Sequence, residues 1–383
     1  MTEKLYYADP FLKNFTAAVL SCEESKTGFA VTLDRTAFYP EGGGQPCDTG
    51  ALGGANVTDV REKDGVIVHT CDRPLPVGET VEGSIQWDRR FDHMQQHSGE
   101  HITSGAICAR YHCDNVGFHM GKDLVTIDFN AGIPPQDLPS IEAAVNQYIW
   151  EDHPIHIRFL SGEALEQAEY RSKKFIPGEV RLVSFPGADC CACCGTHVAR
   201  SGQVGLVKLL SCQKFREGVR IEMVCGKRAL DYCSAVLEQN HKVSQLLSAK
   251  VMDTAAAVER TQKELYAIRG RLSALEDAVF QQKAESLAGR GDVLLFEEDM
   301  SPESLRKLCG AVGAVCGGRC AVFAGADGGW KYAVGGQTGD LRPLAKELNA
   351  ALSGRGGGKP DFIQGSAACT REAIEDFFAA QGK

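Results

Sequence analysis

The sequence predicts an α+β protein with an N-terminal small β-barrel, a mixed α+β domain, a helical linker and a C-terminal α/β domain. Three observations carry that expectation. Short alternating runs fill the first 88 residues, histidines recur at every fourth residue on a helix beginning at Asp92, and an apolar stripe at heptad-like spacing runs from Val258 to Val279. The chain is 383 residues long and 43% hydrophobic, enough to fill several cores.

In the first segment, 1–88, the runs Phe15 to Val19, Phe29 to Leu33, Val57 to Val60 and Val66 to His69 are separated by turns of Gly, Asp, Asn and Pro. The segment 89–225 opens with the histidine helix. It continues with strand-like runs at Leu124 to Phe129, Ile155 to Phe159, Val180 to Val183 and Gly205 to Leu210, and a helix over Pro139 to Trp150. Residues 226–288 read as two helices, the second capped by Asp253. There Val258, Leu265, Ile268, Leu272, Leu275 and Val279 form a stripe read as packing, in a helical hairpin or a coiled-coil dimer. After Gly289-Arg-Gly291, residues 289–383 alternate strands at Val293 to Phe296 and Ala321 to Ala324 with a helix begun by Ser301-Pro302. The run Gly354 to Gly358 breaks that pattern.

Composition excludes several classes. The N-terminus lacks the basic, apolar and small-residue regions of a secretion signal, and no stretch of about 20 apolar residues suggests a membrane span, so the cytoplasm is the expected location. Sixteen cysteines in such a chain read mostly as buried thiols, apart from the cluster Cys190, Cys191, Cys193 and Cys194. The net charge of −9 argues against indiscriminate nucleic-acid binding. A local basic stretch over 198–228, including Arg216 and Arg220, leaves a specific contact open.

The sharpest signal is His97-Ser-Gly-Glu-His101 together with Cys193-Cys-Gly-Thr-His197. Residues four apart share one helix face, about 6 Å apart along the axis, so two imidazoles can close on one ion. Three histidines and a cysteinate suit Zn²⁺. Spacing alone leaves alternatives open. His93 also lies four residues before His97, and Cys190-x2-Cys193 and Cys191-x2-Cys194 could build a structural zinc knuckle.

These two pairs resemble the HxxxH and CxxxH motifs of the editing domain of alanyl-tRNA synthetase and of the stand-alone AlaX-type editing proteins. Thr36-Ala-Phe-Tyr-Pro-Glu-Gly-Gly-Gly-Gln45, continued by Asp48-Thr-Gly50, resembles the family's glycine-rich segment. Gly356-Gly-Gly-Lys-Pro-Asp-Phe-Ile-Gln-Gly365 is similar to the glycine-rich motif of a C-terminal domain shared with DHH phosphoesterases. Three motifs in family order, with the long C-terminal extension, look most like the long AlaX form.

The resemblance implies a zinc-dependent aminoacyl-tRNA hydrolase with His97, His101, Cys193 and His197 as ligands, and leaves His93, Cys190, Cys191 and Cys194 unassigned. Cys194 stands where the synthetases usually carry glycine. The implied substrate is alanine tRNA mischarged with serine or glycine. Thr36 is expected to contact the seryl hydroxyl, with Gly42, Gly43, Gly44 and Gln45 beside the ligand and His119 lining the site. Arg355 and Lys359 are expected to reach tRNA phosphate, and a homodimer through the helical or C-terminal region is a further expectation. Neither alanine activation nor phosphoesterase chemistry is expected. The editing motifs begin by residue 36, and no Asp-His-His triplet occurs, as Asp92-His-Met and Asp152-His-Pro illustrate. The competing reading is a non-catalytic zinc-containing tRNA-binding adaptor.

Overall fold

The computed structural model describes residues 1–172, 178–337 and 339–381. The chain divides into two compact units, Met1–Asn240 and His241–Lys383.

The first unit begins with a closed six-stranded antiparallel barrel. Around it run Asn14–Ser25, Gly28–Leu33, Val66–Cys71, Ala55–Lys63, Gly50–Leu52 and Thr80–Ile85, the last pairing back to the first. Alternation explains the closure: Val31, Leu33, Leu52, Val57, Val60 and Ile67 point inward and are buried, while their neighbours face out. All four predicted runs are barrel strands.

The Trp87–Tyr111 helix follows, starting five residues before Asp92. Histidine periodicity hides that first turn, which the stacked aromatic pair Trp87 and Phe91 occupies, with ring centroids 5.7 Å apart. This helix is buried on nearly every side although many of its side chains are polar. Such a helix is stable only if those groups find partners. Gln95 donates to the Gln203 carbonyl. Gln96 exchanges hydrogen bonds with the backbone of Cys225, and Ser104 and Asn115 both donate to Glu100.

Two sheets enclose the helix. One is four-stranded and antiparallel, in the order Val207–Phe215, Gly218–Cys225, Val125–Phe129 and Asn115–Met120. The other has three strands, His156–Leu160, Val180–Phe185 and Asp189–Ala192. Barrel and helix are tied by a buried ion pair. Arg90, 0% exposed, donates through Nε to both oxygens of Asp48, which is 1% exposed, and its other nitrogens bond the Pro10 and Ala37 carbonyls.

Beyond the Gly226–Leu246 helix, the 33-residue Thr254–Ser286 helix carries the heptad stripe. Of the two packings expected for this stripe, the one within a single chain is corrected among the described residues, and the coiled-coil dimer is not touched by it. Val258, Leu265, Ile268, Leu272, Leu275 and Val279 are between 38% and 65% exposed, and the helix buries Ala257, Phe280 and Ala284 instead. The physical reason is that the second unit's core takes a different stripe, with Phe280 and Ala284 against Leu305, Leu308 and Val312.

The C-terminal sheet has the order Gly291–Glu297, Gly317–Ala324, Trp330–Gly336, Phe362–Ala367 and Arg355–Lys359. Cys320, Val322 and Ala324 face the Pro302–Gly313 helix, and Ala321 and Phe323 face the helices Arg342–Ala351 and Arg371–Gln381. The expected break over Gly354 to Gly358 is a second correction. Arg355–Lys359 is an edge strand paired with Phe362–Ala367, and an edge position tolerates a glycine run because only one side must form a ladder.

Candidate metal and active site

His97 and His101 project from one face of the Trp87–Tyr111 helix, and Cys193 and His197 come from the loop after the Asp189–Ala192 strand. Their donor atoms all lie within 4.8 Å of one another, and the three histidines are buried. Cys193 Sγ is 3.4 Å from His97 Nε2 and 3.3 Å from His197 Nε2. Donors bound tetrahedrally at 2.0–2.3 Å sit about 3.5 Å apart, so the cluster has the dimensions of one zinc-sized site.

Each imidazole is oriented through its other nitrogen. His97 Nδ1 meets Gln45 Oε1 at 2.8 Å, His101 Nδ1 meets Asp189 Oδ2 at 2.8 Å, and His197 Nδ1 meets Ser98 Oγ at 3.2 Å. All three Nε2 atoms therefore point toward the thiol, the arrangement in which outer partners fix ligand tautomers. Two glycines allow the convergence. A Cβ on Gly195 would lie 2.1 Å from His97 Cε1, and one on Gly105 would lie 2.1 Å from the Ala188 carbonyl oxygen, blocking the approach that brings Asp189 to His101.

The electrostatics favour a cation. Burial alone would raise the Cys193 thiol, but His97 and His197 beside it and hydrogen bonds from His101 and His197 hold it well below its ordinary value. Burial opposes protonation of His101, yet Asp189 and Cys193 raise it well above the usual range, while burial drives His197 down to about 3. Asp189 is braced by Arg171, whose Nε and Nη2 donate at 2.7 and 2.8 Å. Glu100, also buried, has its Oε1 occupied by Ser104 and Asn115 and its Oε2 4.0 Å from His101 Nε2. Asp189→Asn should therefore weaken metal affinity by about 10–100-fold, as loss of an outer carboxylate does. Competition for zinc against a chromophoric chelator would read this directly, and an unchanged affinity would leave Asp189 only a structural role.

The other sulfurs are placed apart. Cys194 is exposed and lies against Tyr7. Cys191 forms a second group with His101 and Asp189, sharing His101 with the first. His93 is buried outside the donor cluster.

Residues 7–89 match the family of class II tRNA synthetases (A), and residues 180–222 match the threonyl and alanyl tRNA synthetase second additional domain. The chain is 28% identical to the alanyl-tRNA editing protein AlaX-L of Pyrococcus horikoshii, over 98% of this chain and 97% of that protein. It is 26% identical to the alanyl-tRNA editing protein Aarsd1 of Danio rerio, over 94% of this chain and 92% of that protein. The chain is similar to these alanyl-tRNA editing proteins over nearly its full length. It is also 32% identical to the alanine-tRNA ligase of Pyrococcus abyssi over 98% of its own length, and spans only 43% of that ligase.

Thr36 is fully buried, and its hydroxyl accepts from the Phe38 amide at 3.1 Å and contacts His69 Nε2 at 2.8 Å. Burial lowers His69 to about 4, so the ring is neutral. With Nδ1 3.2 Å from the Val31 carbonyl, Nε2 is left as an acceptor for the Thr36 hydroxyl. Thr36 therefore retains one lone pair and no free O–H. Gln45, fully buried, is a bridge: its Oε1 meets His97, and its Nε2 donates to Thr196 Oγ1 at 2.9 Å. Its spacing from any histidine in sequence could not have revealed this.

Gly42 pairs with Gln45 in a tight turn, and Gly44 rests on Phe118, where an added Cβ would lie 2.6 Å from the ring. The expectation for His119 is corrected. Alternation along Asn115–Met120 lays Phe118 on the His97 ring at 5.0 Å and turns His119 outward, exposed. Arg181 was not anticipated. It is buried, and its Nη1 donates to the carbonyls of Cys193 at 2.7 Å and Gly195 at 3.0 Å, clamping the ligand loop.

Of the cations expected at tRNA, Arg220 is committed to Asp128 at 2.7 and 2.8 Å and stacks over Phe215 at 3.9 Å. Arg216 is exposed on the same hairpin, with no ion-pair partner among the described residues. Arg355 and Lys359 are exposed two strand repeats apart on the edge strand, so they share a face with Gly357 between them.

Proposed function

We propose that the chain hydrolyses, in trans, the ester joining a wrongly attached amino acid to the terminal adenosine of alanine tRNA, with serine the chief substrate and glycine a second. The observation that carries this reading is the buried convergence of three Nε2 atoms and one thiol, in a chain that matches AlaX-L over nearly its full length. Zinc is the metal the donor set fits, and when bound it supplies Lewis acidity and a fixed positive charge at the ester. The chain's own residues do the positioning. Gln45, Asp189 and Ser98 fix the ligand rings, Arg181 holds the Cys193 loop, and Phe118 walls one side of His97. Exposed Arg216, Arg355 and Lys359 support a role in holding tRNA phosphate, and the exposed heptad stripe supports a homodimer. No helix among the described residues is long and apolar enough to cross a membrane, in keeping with a cytoplasmic enzyme.

Purified protein should deacylate seryl-tRNA(Ala), and glycyl-tRNA(Ala) more slowly, while sparing the alanyl ester. A chelator should abolish the reaction and added zinc restore it. One observation favours a second reading: four protein donors close a tetrahedral ion as structural sites do. Tight tRNA binding with no deacylation of any ester would select that adaptor reading.

Selectivity is the second test. A pocket that hydrogen-bonds the seryl hydroxyl discriminates against its absence by up to about 10⁴-fold. Thr36 offers its remaining lone pair for that bond if the neighbouring backbone opens. Thr36→Val should lower seryl hydrolysis and narrow the seryl-to-alanyl ratio. It should also cost about 1–3 kcal/mol of stability, because His69 loses its partner. An unchanged ratio with the stability loss intact would assign Thr36 to the barrel core alone.

A further inference from the structure

The helix that supplies His97 and His101 carries one buried polar atom with no use in the metal site. His93 is 2% exposed, and its Nδ1 has no hydrogen-bond partner among the described residues. The buried Gln95, Gln96, Glu100 and Ser104 of the same helix all have partners, so His93 is the exception that needs a reason. It lines a cavity of about 470 Å³ beside Pro46, the residue after Gln45. The cavity therefore borders the same glycine-rich loop that reaches the metal ligands, and His93 lies one helical turn, about 6 Å, before His97.

The charges around this cavity are unevenly matched. Arg228 is committed to Asp92 and to the Gly121 carbonyl, and Lys227 is paired with Asp231. Arg89 donates through Nε to the Cys47 carbonyl at 3.1 Å, and its guanidinium has no carboxylate partner among the described residues. Lys122, on the turn after Asn115–Met120, is exposed and likewise without an ion pair among the described residues. Against these two cations stands Asp88 in the cavity wall, an acid without an ion pair among the described residues. Burial, with Arg89, Arg228 and Arg90 nearby, drives His93 down to about 3, so its ring is neutral and Nδ1 can make one ordinary hydrogen bond.

We propose that this cavity binds a backbone phosphate and the adjoining ribose of the single-stranded acceptor end of tRNA, through Arg89, Lys122 and His93 Nδ1. The inference rests on the editing reading above. It adds to it a place for the nucleotide chain, one helical turn from the metal site, where a ribose ester and its nearest backbone phosphate would be separated by a comparable span.

The test uses the full chain and the trinucleotide CpCpA, with the dissociation constant measured over a series of salt concentrations. Arg89→Gln combined with Lys122→Gln should weaken binding by at least about tenfold and flatten the log–log salt slope by about 0.7 for each phosphate no longer neutralised. Asp88→Asn should act in the opposite direction, tightening binding about threefold, as removal of one exposed like charge would. In deacylation of seryl-tRNA(Ala), the double variant should raise KM more than it lowers kcat. Inorganic phosphate should compete only far more weakly than CpCpA. Equal affinity for inorganic phosphate would overturn the nucleotide assignment, as would an unchanged CpCpA constant and salt slope in the double variant. A parent that deacylates while the variants match it would overturn this site alone. A parent that binds CpCpA through these residues without deacylating would support the site and overturn the enzymatic reading.

Discussion

Replacing Cys193 with alanine should empty the metal site and reduce deacylation by more than about 100-fold, because a direct ligand costs more than the 10–100-fold of an outer partner. The geometry singles out this sulfur. Cys193 Sγ lies 3.3–3.4 Å from two imidazole nitrogens and is the thiol whose ionisation the cluster favours, whereas burial pushes Cys191 up to about 11. Loss of the thiolate removes the negatively charged donor and leaves three imidazoles, one short of the four-donor set. His101→Ala should act similarly, whereas Cys194→Ala and His93→Ala should keep one zinc per chain. Metal content by elemental analysis, read with the seryl-tRNA(Ala) rate, checks the series. Full zinc and activity in Cys193→Ala would transfer the role to Cys190, Cys191 or Cys194.

The largest stability effect should come from Asp48→Ala. This change leaves the Arg90 guanidinium buried without its counter-charge, and breaking one side of a buried pair costs about 3–5 kcal/mol. In a unit of this size that corresponds to a fall of roughly 10 °C in Tm. Asp48 also accepts from the Tyr39 amide at 2.6 Å and donates its own amide to the Tyr39 carbonyl, so the turn that aims Gln45 at His97 should loosen as well. Asp48→Leu combined with Arg90→Met should be less damaging than either change alone, since both charges then leave together. Thermal unfolding of Asp48→Ala, of the two single changes Asp48→Leu and Arg90→Met, and of their double variant tests this. A single Asp48→Ala protein within about 1 kcal/mol of the parent would show that water reaches the pair.

The similarity to alanyl-tRNA editing proteins, the order of barrel, histidine helix and C-terminal α/β unit, and the four residues of the donor cluster were legible in the sequence. The elements rest on local patterns, such as alternation of period two in 15–69 and the i, i+4 histidines on one helix, whereas spacing left His93 and the other cysteines open and the resemblance selected His97, His101, Cys193 and His197. The partners that orient those ligands were not legible. Gln45 and Asp189 lie 52 and 88 residues from the histidines they hold, and no spacing rule links side chains that meet only when a barrel turn and a distant strand close on a buried helix.

The same distinction explains the misreadings. Helical periodicity shows that Leu265, Ile268, Leu272 and Leu275 share a face, but exposure depends on which stripe the core claims, and Phe280 and Ala284 take that place. The run Arg355 to Lys359 looks like a break because glycine lacks strand propensity, yet pairing with Phe362–Ala367 imposes the strand from outside. Likewise, one residue of strand register decided that Phe118, and not His119, lies on His97. The sequence by itself determined most elements and the two pairs His97/His101 and Cys193/His197, because each follows from spacings of a few residues. Only the tertiary structure decided what orients the donors and which faces stay open, because those depend on long-range packing that local periodicity does not encode.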